Sequence, residues 1–253
     1  MTAPAHGSAE WEVERLDLDA YLDRIGYAGV PAPDAATLRA LHRAHAAAIP
    51  FENLDVVLGR GIALDLDSVQ DKLVRRPRGG YCFEHNLLFA AVLERLGYAV
   101  TRLAARVQPD RAGLRTHMLL RVVADGEPWL ADVGFGASLL EPLALEPGAT
   151  TQGGWSYRLD RAGADGWLLR SGGADGWTQL YAFTGEPQRP IDYAVANHYT
   201  ATHPRSPFVG QFVVLRTEPG VKYVLRGREL TTTRPGGGVE TRAIAVEELA
   251  DVL

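Results

Sequence analysis

The chain has 253 residues, enough to bury a substantial core and to hold more than one lobe. Its formal net charge of −5 argues against a nucleic-acid-binding protein. No stretch approaches the roughly 20 apolar residues of a membrane span, and the N-terminus lacks the charged and then apolar pattern of a signal peptide. The single cysteine, Cys82, excludes an internal disulfide and fits a reducing cytoplasm. These features predict a cytoplasmic protein that binds neither nucleic acid nor membranes.

The first part of the chain, up to about residue 96, is predicted to be helical. One helix covers residues 19–25, and a second begins at Asp34, a residue type that caps helix N-termini well. His42 and His45 lie on the second helix, where we expect them to be surface or packing residues.

A further helix is predicted to begin at the only cysteine, directly after Gly79-Gly80-Tyr81. Apolar residues then recur at helical spacing rather than alternating: Leu88, Phe89, Val92 and Leu96. Cys82 falls in the first turn, where unpaired backbone N–H groups and the positive end of the helix dipole favour an anion such as a thiolate. A lone buried cysteine is usually just a small hydrophobic residue. The helix start and the flanking glycines favour a nucleophile here.

From about residue 99 the pattern changes to β-structure. Strands are predicted over residues 100–107, 118–123, 129–133 and 155–159. The pentapeptide Gly-Ala-Asp-Gly-Trp occurs twice, at 163–167 and 173–177, and a turn before each tryptophan predicts a β-meander rather than a ligand-binding motif. After about residue 204 we expect strands at 212–215 and 223–225 and a short closing helix within 244–253.

An Asp-Gly pair at 125–126 predicts a tight hairpin between two of these strands. With Asp125 and Gly126 as the two turn residues, His117 faces Gly134, and Asp132 emerges on the same face as His117. The two side chains are then diagonal neighbours with backbones roughly 7–8 Å apart. A three-residue turn would shift the register by one residue and break this pairing. An aspartate in an apolar strand is costly unless it is paired, so a histidine partner is the simplest explanation.

Five segments resemble the motifs of the arylamine N-acetyltransferase family, in order and at family-like spacing: residues 49–55, 78–86, 116–117, 132–136 and 199–204. The likeness extends from about Tyr21 to Leu230. The resemblance implies a Cys-His-Asp core of the cysteine-protease and transglutaminase type, made by Cys82, His117 and Asp132.

The fold implied by the resemblance is α+β, with three parts. They are an N-terminal helical bundle over residues 1–96 with Cys82, a central β-barrel over 97–203 with His117 and Asp132, and a small α/β lid over 204–253. Family members typically continue with a further C-terminal helix, so we expect a short lid and an open cleft that accepts bulkier acyl groups.

The function implied is acetyl-CoA-dependent N-acetylation of arylamines, arylhydrazines or related amines by a ping-pong mechanism through acetyl-Cys82. Acetyl-CoA is the co-substrate, no metal is implied, and the protein is expected to be a monomer or homodimer. By resemblance, five residues line the apolar acceptor pocket, with ordinary core packing as the alternative: Phe51, Val107, Phe135, Gly136 and Phe208.

Glu52 and Asn53 are expected to brace Arg78, which belongs to a basic cluster with Arg75 and Arg76. That cluster is either a solvated turn with one structural salt bridge or an attractor for an anionic substrate.

Two other histidines, His85 and His203, lie in or next to the family-like motifs. His85 lies one helical turn after Cys82 but has no orienting acid that we can identify, so it is not the expected base. His203 is interpreted as a loop contact near the coenzyme.

Other functions remain open at this point. An amide synthase that closes a macrolactam from a polyketide thioester is the main alternative. A non-catalytic binding relative, a thiol hydrolase and a transglutaminase are the others.

Overall fold

A computed structural model describes residues 8–111, 113–136 and 139–249. Its α-helices are α1 (Leu18–Arg24), α2 (Ala35–Ala48), α3 (Leu54–Val57), α4 (Leu66–Gln70), α5 (Cys82–Arg95) and α6 (Pro190–Thr202). A π-helical turn (Asp71–Arg75) follows α4, and 3-10 turns lie at Ser8–Trp11, Val13–Arg15 and Val246–Glu248. Within these described ranges, none of the helices combines the length and apolarity needed to span a bilayer.

The predicted helix caps explain where α1 and α2 begin. The Asp17 carboxylate accepts the N–H of Ala20, and the Asp34 carboxylate accepts that of Thr37. On α2 the buried face recurs every three or four residues, as a core-facing helix requires: Leu38, Leu41, His42 and His45.

Eight antiparallel strands form one curled sheet. They are β2 (Ala99–Val107), β3 (Arg115–Ala124), β4 (Glu127–Ala131), β5 (Leu143–Ala144), β6 (Gly148–Gln152), β7 (Trp155–Ala162), β8 (Gly166–Gly173) and β9 (Gly176–Thr184). Their order is β5-β4-β3-β2-β9-β8-β7-β6. The structure is thus a mixed α+β fold with a half-barrel sheet. The two pentapeptide repeats form the β7–β8 and β8–β9 turns, so the predicted meander is confirmed.

Strand β3 is buried on both faces, which explains why its sequence does not alternate. Met118, Leu119 and Leu120 are all fully buried. Met118 and Leu120 pack in the core shared with the helices, whereas Leu119 packs in a second core inside the curled sheet.

The β3–β4 hairpin has the predicted two-residue turn and register. Ala124 pairs with Glu127 and Leu120 with Ala131. Asp125 and Gly126 both have positive φ, 53° and 81°, as a type I′ turn requires. Strand β4 ends at Ala131, however, and not at residue 133 as predicted.

The early end of β4 has a local cause. The Asp132 carboxylate accepts the N–H of Gly134 at 3.1 Å, an Asx-type turn that bends the chain out of the ladder. Asp132 therefore lies just beyond the strand.

A second sheet joins a short segment of the N-terminal part to the C-terminal part of the chain. It contains β1 (Phe51–Glu52), β10 (Val213–Glu218), β11 (Val221–Arg226), β12 (Glu229–Arg234) and β13 (Gly238–Ala243), in that order. Phe51 of β1 pairs with Leu215 of β10. This two-residue strand within the N-terminal, otherwise helical part brings the C-terminal sheet to the segment that precedes Cys82.

Two features differ from the predicted pattern. Helix α6 lies within the stretch expected to be β, and it begins at Pro190 with the Asp192 carboxylate accepting the Arg189 N–H. The described part of the C-terminal segment consists of strands β10–β13 and the short 3-10 turn. The expected closing helix falls partly on residues 250–253, which lie outside the described residues.

Candidate active site

Cys82 is the first residue of α5 and is 4% exposed. Its Sγ lies 3.7 Å from the carbonyl oxygen of Thr116, at the start of β3. The glycines before it allow close chain contact, because a Cβ on Gly79 would overlap the carbonyl oxygen of Pro50. The Glu52 N–H in turn donates to the Gly80 carbonyl at 2.8 Å. This contact holds the start of α5 against β1.

His117 and Asp132 form a short, buried hydrogen bond. His117 Nε2 lies 2.7 Å from Asp132 Oδ2, and the two side chains are 3% and 0% exposed. The hairpin register brings the two residues together, as the sequence predicts, with Asp132 reaching back from just beyond β4.

The charge on His117 is favoured by its neighbours. Burial by itself lowers the pKa of an imidazole, but the charge of the Asp132 carboxylate and the hydrogen bonds that the imidazolium donates to Asp132 and Cys82 outweigh it and raise the pKa of His117 to about 10. Since Asp132 occupies Nε2, the hydrogen bond with Cys82 that contributes to this shift falls to the other ring nitrogen, Nδ1. The arrangement stabilises an imidazolium beside a sulfur atom.

Asp132 accepts hydrogen bonds from four donors. Besides His117, these are the Tyr181 hydroxyl at 2.8 Å, the Asn86 side-chain amide at 3.0 Å and the Gly134 N–H at 3.1 Å. Burial alone would raise the pKa of Asp132, but His117 and these donors lower it below the ordinary aspartate value. The carboxylate therefore stays ionised although it is fully buried.

Gly134 allows the segment after β4 to pass directly over α5. A Cβ at this position would lie 2.8 Å from the Cys82 carbonyl oxygen and 2.5 Å from the Asn86 amide nitrogen. Both polar atoms of the Asn86 side chain form hydrogen bonds here. Besides Asp132, its NH₂ group donates to the Met118 carbonyl, and its oxygen accepts the Val133 N–H.

His42 also supports the segment after β4, through its backbone groups. The Asp132 N–H donates to His42 Nε2 at 3.2 Å, and His42 Nδ1 donates to the Leu140 carbonyl at 3.1 Å. Burial lowers the pKa of His42 to about 4, so it is neutral and its tautomer follows from these partners. One histidine on α2 thus holds both ends of the segment 132–140.

We expect His42→Leu to lower the free energy of unfolding by about 2–4 kcal/mol, because it leaves two buried backbone groups without partners. Urea denaturation would measure the change. Arg43→Leu is a control on the same helix: it removes a half-exposed ion pair with Glu141 and should cost at most about 1 kcal/mol. Equal stabilities of the two variants would contradict this role of His42.

A cavity of about 420 Å³ opens beside Cys82 and His117. Four of the five expected pocket residues line it: Phe51, Val107, Phe135 and Phe208. Gly136 does not line it and instead packs behind its wall, where a Cβ would meet Leu215 and Phe51. The rest of the lining is mostly apolar or small, with polar groups that include Gln108, Thr178, Gln179 and Tyr199 and the charged side chain of Arg226.

The Arg78 side chain is tied to Glu52 by two hydrogen bonds, of 2.7 and 3.0 Å, and also contacts Asp55. Lys72 connects Asp55 to the buried Glu84, whose pKa burial raises to about 6. The network lies under the start of α5.

Asn53 and the two neighbouring arginines, Arg75 and Arg76, do not belong to this network. Asn53 does not bond to Arg78; its amide holds the Phe208 and Gln211 carbonyls and accepts the Val213 N–H. It therefore fixes the segment that carries Phe208. Arg76 pairs with Asp71 at the surface, and Arg75 is exposed.

His85 is fully engaged in a buried chain away from the cavity. Its Nε2 donates to the carbonyls of Pro50 and Gly80, and its Nδ1 accepts from His45, which in turn accepts from the Tyr21 hydroxyl. Burial lowers the pKa of His85 to about 4. His85 has no free nitrogen to act as a base.

His203 lies at the end of α6, stacked on Tyr199 with ring centroids 4.3 Å apart. The Arg205 N–H donates to its Nδ1. Over the described part of the chain, no group of three or more His, Cys, Asp or Glu side chains is placed to hold a metal ion.

Sequence reasoning missed three residues that surround Asp132: Asn86, Tyr181 and His42. Asn86 belongs to the motif around Cys82. His42 lies on the buried face of α2. Each position therefore gave a weak indication of a role in the site. Tyr181 belongs to a β9 segment without any motif, and nothing local marks it.

An N-acetyltransferase family model matches residues 34–253. The arylamine N-acetyltransferase of Mycolicibacterium smegmatis is 43% identical over 249 residues, which cover 94% of this chain and 90% of that protein. The crystal structure of the Nocardia farcinica arylamine N-acetyltransferase superimposes with a TM-score of 0.91 at 48% identity, covering 98% of this chain and 91% of that one.

Two further comparisons bear on ligands. The Mycobacterium marinum arylamine N-acetyltransferase in complex with CoA matches with a TM-score of 0.87 at 40% identity, covering 93% of this chain and 92% of that one. Proansamycin X synthase of Amycolatopsis mediterranei is 36% identical over 185 residues, covering 70% of this chain and 71% of that protein. The family match and the extent of these similarities show that the chain belongs to the arylamine N-acetyltransferase family and is an acyltransferase.

Proposed function

We propose that the protein transfers an acetyl group from acetyl-CoA to the nitrogen of an arylamine or arylhydrazine through an acetyl-Cys82 intermediate. The observation that carries the proposal is the buried alignment of Cys82, His117 and Asp132 at the wall of an apolar cavity. The names of the relatives support an aromatic amine as acceptor, and the CoA-bound relative supports a coenzyme A thioester as donor.

In the first half-reaction the Cys82 thiolate attacks the thioester carbonyl carbon. The oxyanion that forms is expected to face the N–H groups of Cys82 and Phe83, which as the first residues of α5 have no carbonyl partner within the helix. When the C–S bond to coenzyme A breaks, the departing sulfur takes a proton from the His117 imidazolium. Acetyl-Cys82 and a neutral His117 remain.

In the second half-reaction the amine nitrogen attacks the acetyl carbon. Neutral His117 accepts the proton from that nitrogen, the bond between carbon and Sγ breaks, and the amide product leaves. The Cys82 thiolate and the His117 imidazolium are thereby restored. Asp132 keeps His117 in one orientation throughout and stabilises its charged form.

Intact-protein mass spectrometry tests this proposal. Incubation with acetyl-CoA alone should add one acetyl group, located on Cys82 by peptide mapping, and 4-methylaniline should then remove it and appear as its N-acetyl derivative. A panel of longer acyl-CoAs gives the chain-length preference in the same assay. An adduct on another residue, or transfer without an adduct, would refute the proposed route.

We expect iodoacetamide to alkylate Cys82 at a nearly constant rate from about pH 6 to about pH 8.5, where an ordinary thiol becomes steadily more reactive. The reason is that His117, with its pKa raised to about 10, stays protonated over this range and holds the sulfur as a thiolate. Stopped-flow or mass-spectrometric alkylation rates measure the profile. A rate that rises tenfold per pH unit would show that no ion pair forms.

A macrolactam-forming amide synthase is the second candidate, favoured by the similarity to proansamycin X synthase. It uses the same acyl-Cys82 chemistry with an amine tethered to the acyl chain. An N-acetylcysteamine thioester carrying a remote arylamine distinguishes the two in the presence of a free arylamine, because only a synthase would release the cyclic amide in preference to transferring the acyl chain to the free amine.

A further inference from the structure

Strand β13 is the open edge of the second sheet. At the opposite edge, β1 is joined to the segment before Cys82, because the Glu52 N–H donates to the Gly80 carbonyl. Within the described residues no strand lies beyond β13, and all six of its residues are exposed, Val239 to 61%. The strand pairs with β12 over its whole length without a bulge, and it contains no proline. A straight edge of this kind can accept another strand.

The hydrogen-bond pattern of the ladder shows which backbone groups of β13 point away from β12. The Ile244 N–H, just past the strand, donates to the directly opposed Arg228 carbonyl at 2.7 Å. Bonded pairs recur at every second residue of an antiparallel ladder, so Glu240 and Arg242 bond to β12. Three intervening residues direct their N–H and C=O groups outward: Val239, Thr241 and Ala243. Across the described ranges, none of these outward groups has a hydrogen-bond partner.

The two charged residues of β13 select one register for the pairing of two copies of this strand. Glu240 and Arg242 lie on one face, on either side of Thr241. When two copies run antiparallel about a twofold axis through Thr241, Glu240 of each copy faces Arg242 of the other. These are non-hydrogen-bonded positions, where opposed side chains approach most closely. The same register opposes Val239 and Ala243, so the outward groups of all three residues find partners.

Other registers are less favourable. An axis through Glu240 opposes two glutamates, and an axis through Arg242 opposes two arginines, which is destabilising in both cases. An axis between two residues would oppose outward backbone groups to groups already bonded to β12. The charge pattern and the ladder thus agree on the axis through Thr241.

The two charges remain accessible at the surface. Glu240 contacts Arg234 at 3.5 Å and Arg242 contacts Glu248 at 3.0 Å, and all four side chains are about half exposed or more. Ion pairs as exposed as these are weak, so they do not prevent a contact with a second chain. By contrast, β6 at the edge of the eight-stranded sheet has no charged side chain, and no such pattern selects a register there.

We propose that two copies of this chain associate by antiparallel pairing of their β13 strands about a twofold axis through Thr241, which joins the two five-stranded sheets into one. Pairing of the same patch on both subunits is the usual geometry of a homodimer. Two six-residue strands bury less than the roughly 1,200 Å² of a standard interface, so the dimer is weak, with a dissociation constant of about 10–100 µM. The inference goes beyond the proposed function and does not depend on the reaction at Cys82.

Sedimentation velocity at protein concentrations from about 5 to about 300 µM tests the pairing. The wild-type protein should change from monomer to dimer over this range. Thr241→Pro should remain a monomer, because proline removes an outward N–H that β12 does not use and so leaves the ladder intact. Thr241→Ala is the matched control: it keeps the outward backbone groups, and its dissociation constant should stay within about threefold of the wild-type value.

Exchange of the charges tests the register and does not depend on the folding of the proline variant. Glu240→Arg and Arg242→Glu each place like charges opposite one another at two positions, and each should weaken self-association by about tenfold or more. An equimolar mixture of the two variants should recover it, because every arginine of one chain then faces a glutamate of the other. Each variant breaks one exposed ion pair, so its fold should be retained.

Three results would overturn the proposal. A wild-type protein that stays monomeric over the whole range has no such pairing. Dimers of Thr241→Pro with wild-type affinity would place the contact on another surface. Single charge variants that associate like the wild type, or a mixture that does not recover association, would exclude the register through Thr241.

Discussion

We expect Cys82→Ser to lose acyl transfer by roughly 10⁴-fold or more while the protein remains folded. A serine hydroxyl is far harder to ionise than a thiol, so the imidazolium at His117 has no anion to stabilise and the thioester carbonyl meets a poor nucleophile. Steady-state turnover with acetyl-CoA and an arylamine measures the loss.

The fold of this variant should be preserved, because serine is close to cysteine in size and its hydroxyl can donate to the Thr116 carbonyl that Cys82 already approaches. The free energy of unfolding should change by about 1 kcal/mol or less, measured by urea denaturation. Substantial turnover by the serine variant would rule out Cys82 as the nucleophile. So would an acetyl adduct that survives on another side chain.

The second large effect is expected for Asp132→Asn, with a fall in turnover of roughly 10⁴-fold. Asp132 Oδ2 accepts from both His117 Nε2 and the Tyr181 hydroxyl, and Oδ1 accepts from Asn86 and Gly134. An amide NH₂ at the Oδ2 position donates to His117 Nε2 and forces the proton onto Nδ1, the nitrogen that serves Cys82. Neutral His117 in that tautomer cannot accept a proton from the thiol.

Single-turnover acetylation and the pH profile of alkylation measure this change together. The variant should show the profile of an ordinary thiol, with reactivity rising toward about pH 8.5. Tyr181→Phe is the matched control, because it removes one donor from the same oxygen and leaves the carboxylate and the His117 tautomer in place; we expect a loss of about tenfold or less. If Asp132→Asn and Tyr181→Phe lose the same small factor, the carboxylate does not set the state of His117.

The local elements around the candidate site were predictable because short-range chemistry specifies them. The Asp-Gly pair allows positive φ at both central positions of a type I′ turn, and that turn alone determines the register that brings His117 toward Asp132. The start of α5 at Cys82 follows from the glycines before it and the helical spacing after it. The repeated pentapeptide likewise predicts the β7–β9 meander.

The contacts that complete the site depend on tertiary packing. Tyr181 lies 49 residues from Asp132 along the chain and His42 lies 90, and both reach Asp132 only because the tertiary fold brings β9 and α2 to the segment after β4. No periodicity within β9 or α2 encodes which buried carboxylate or N–H a side chain will reach.

The same limit applies to the cleft. Strand β1 has only two residues, too few for a sequence pattern to identify it as a strand. Its pairing with β10 nevertheless brings the C-terminal sheet, including Arg226, to the cavity beside Cys82. Turn residues and periodicity act over a few positions, so the helix that begins at the cysteine and the hairpin that pairs the histidine with the aspartate could be predicted from the sequence. Only the packing of distant elements decided which further side chains surround that pair, because such contacts are selected by the shape and polarity of whole surfaces.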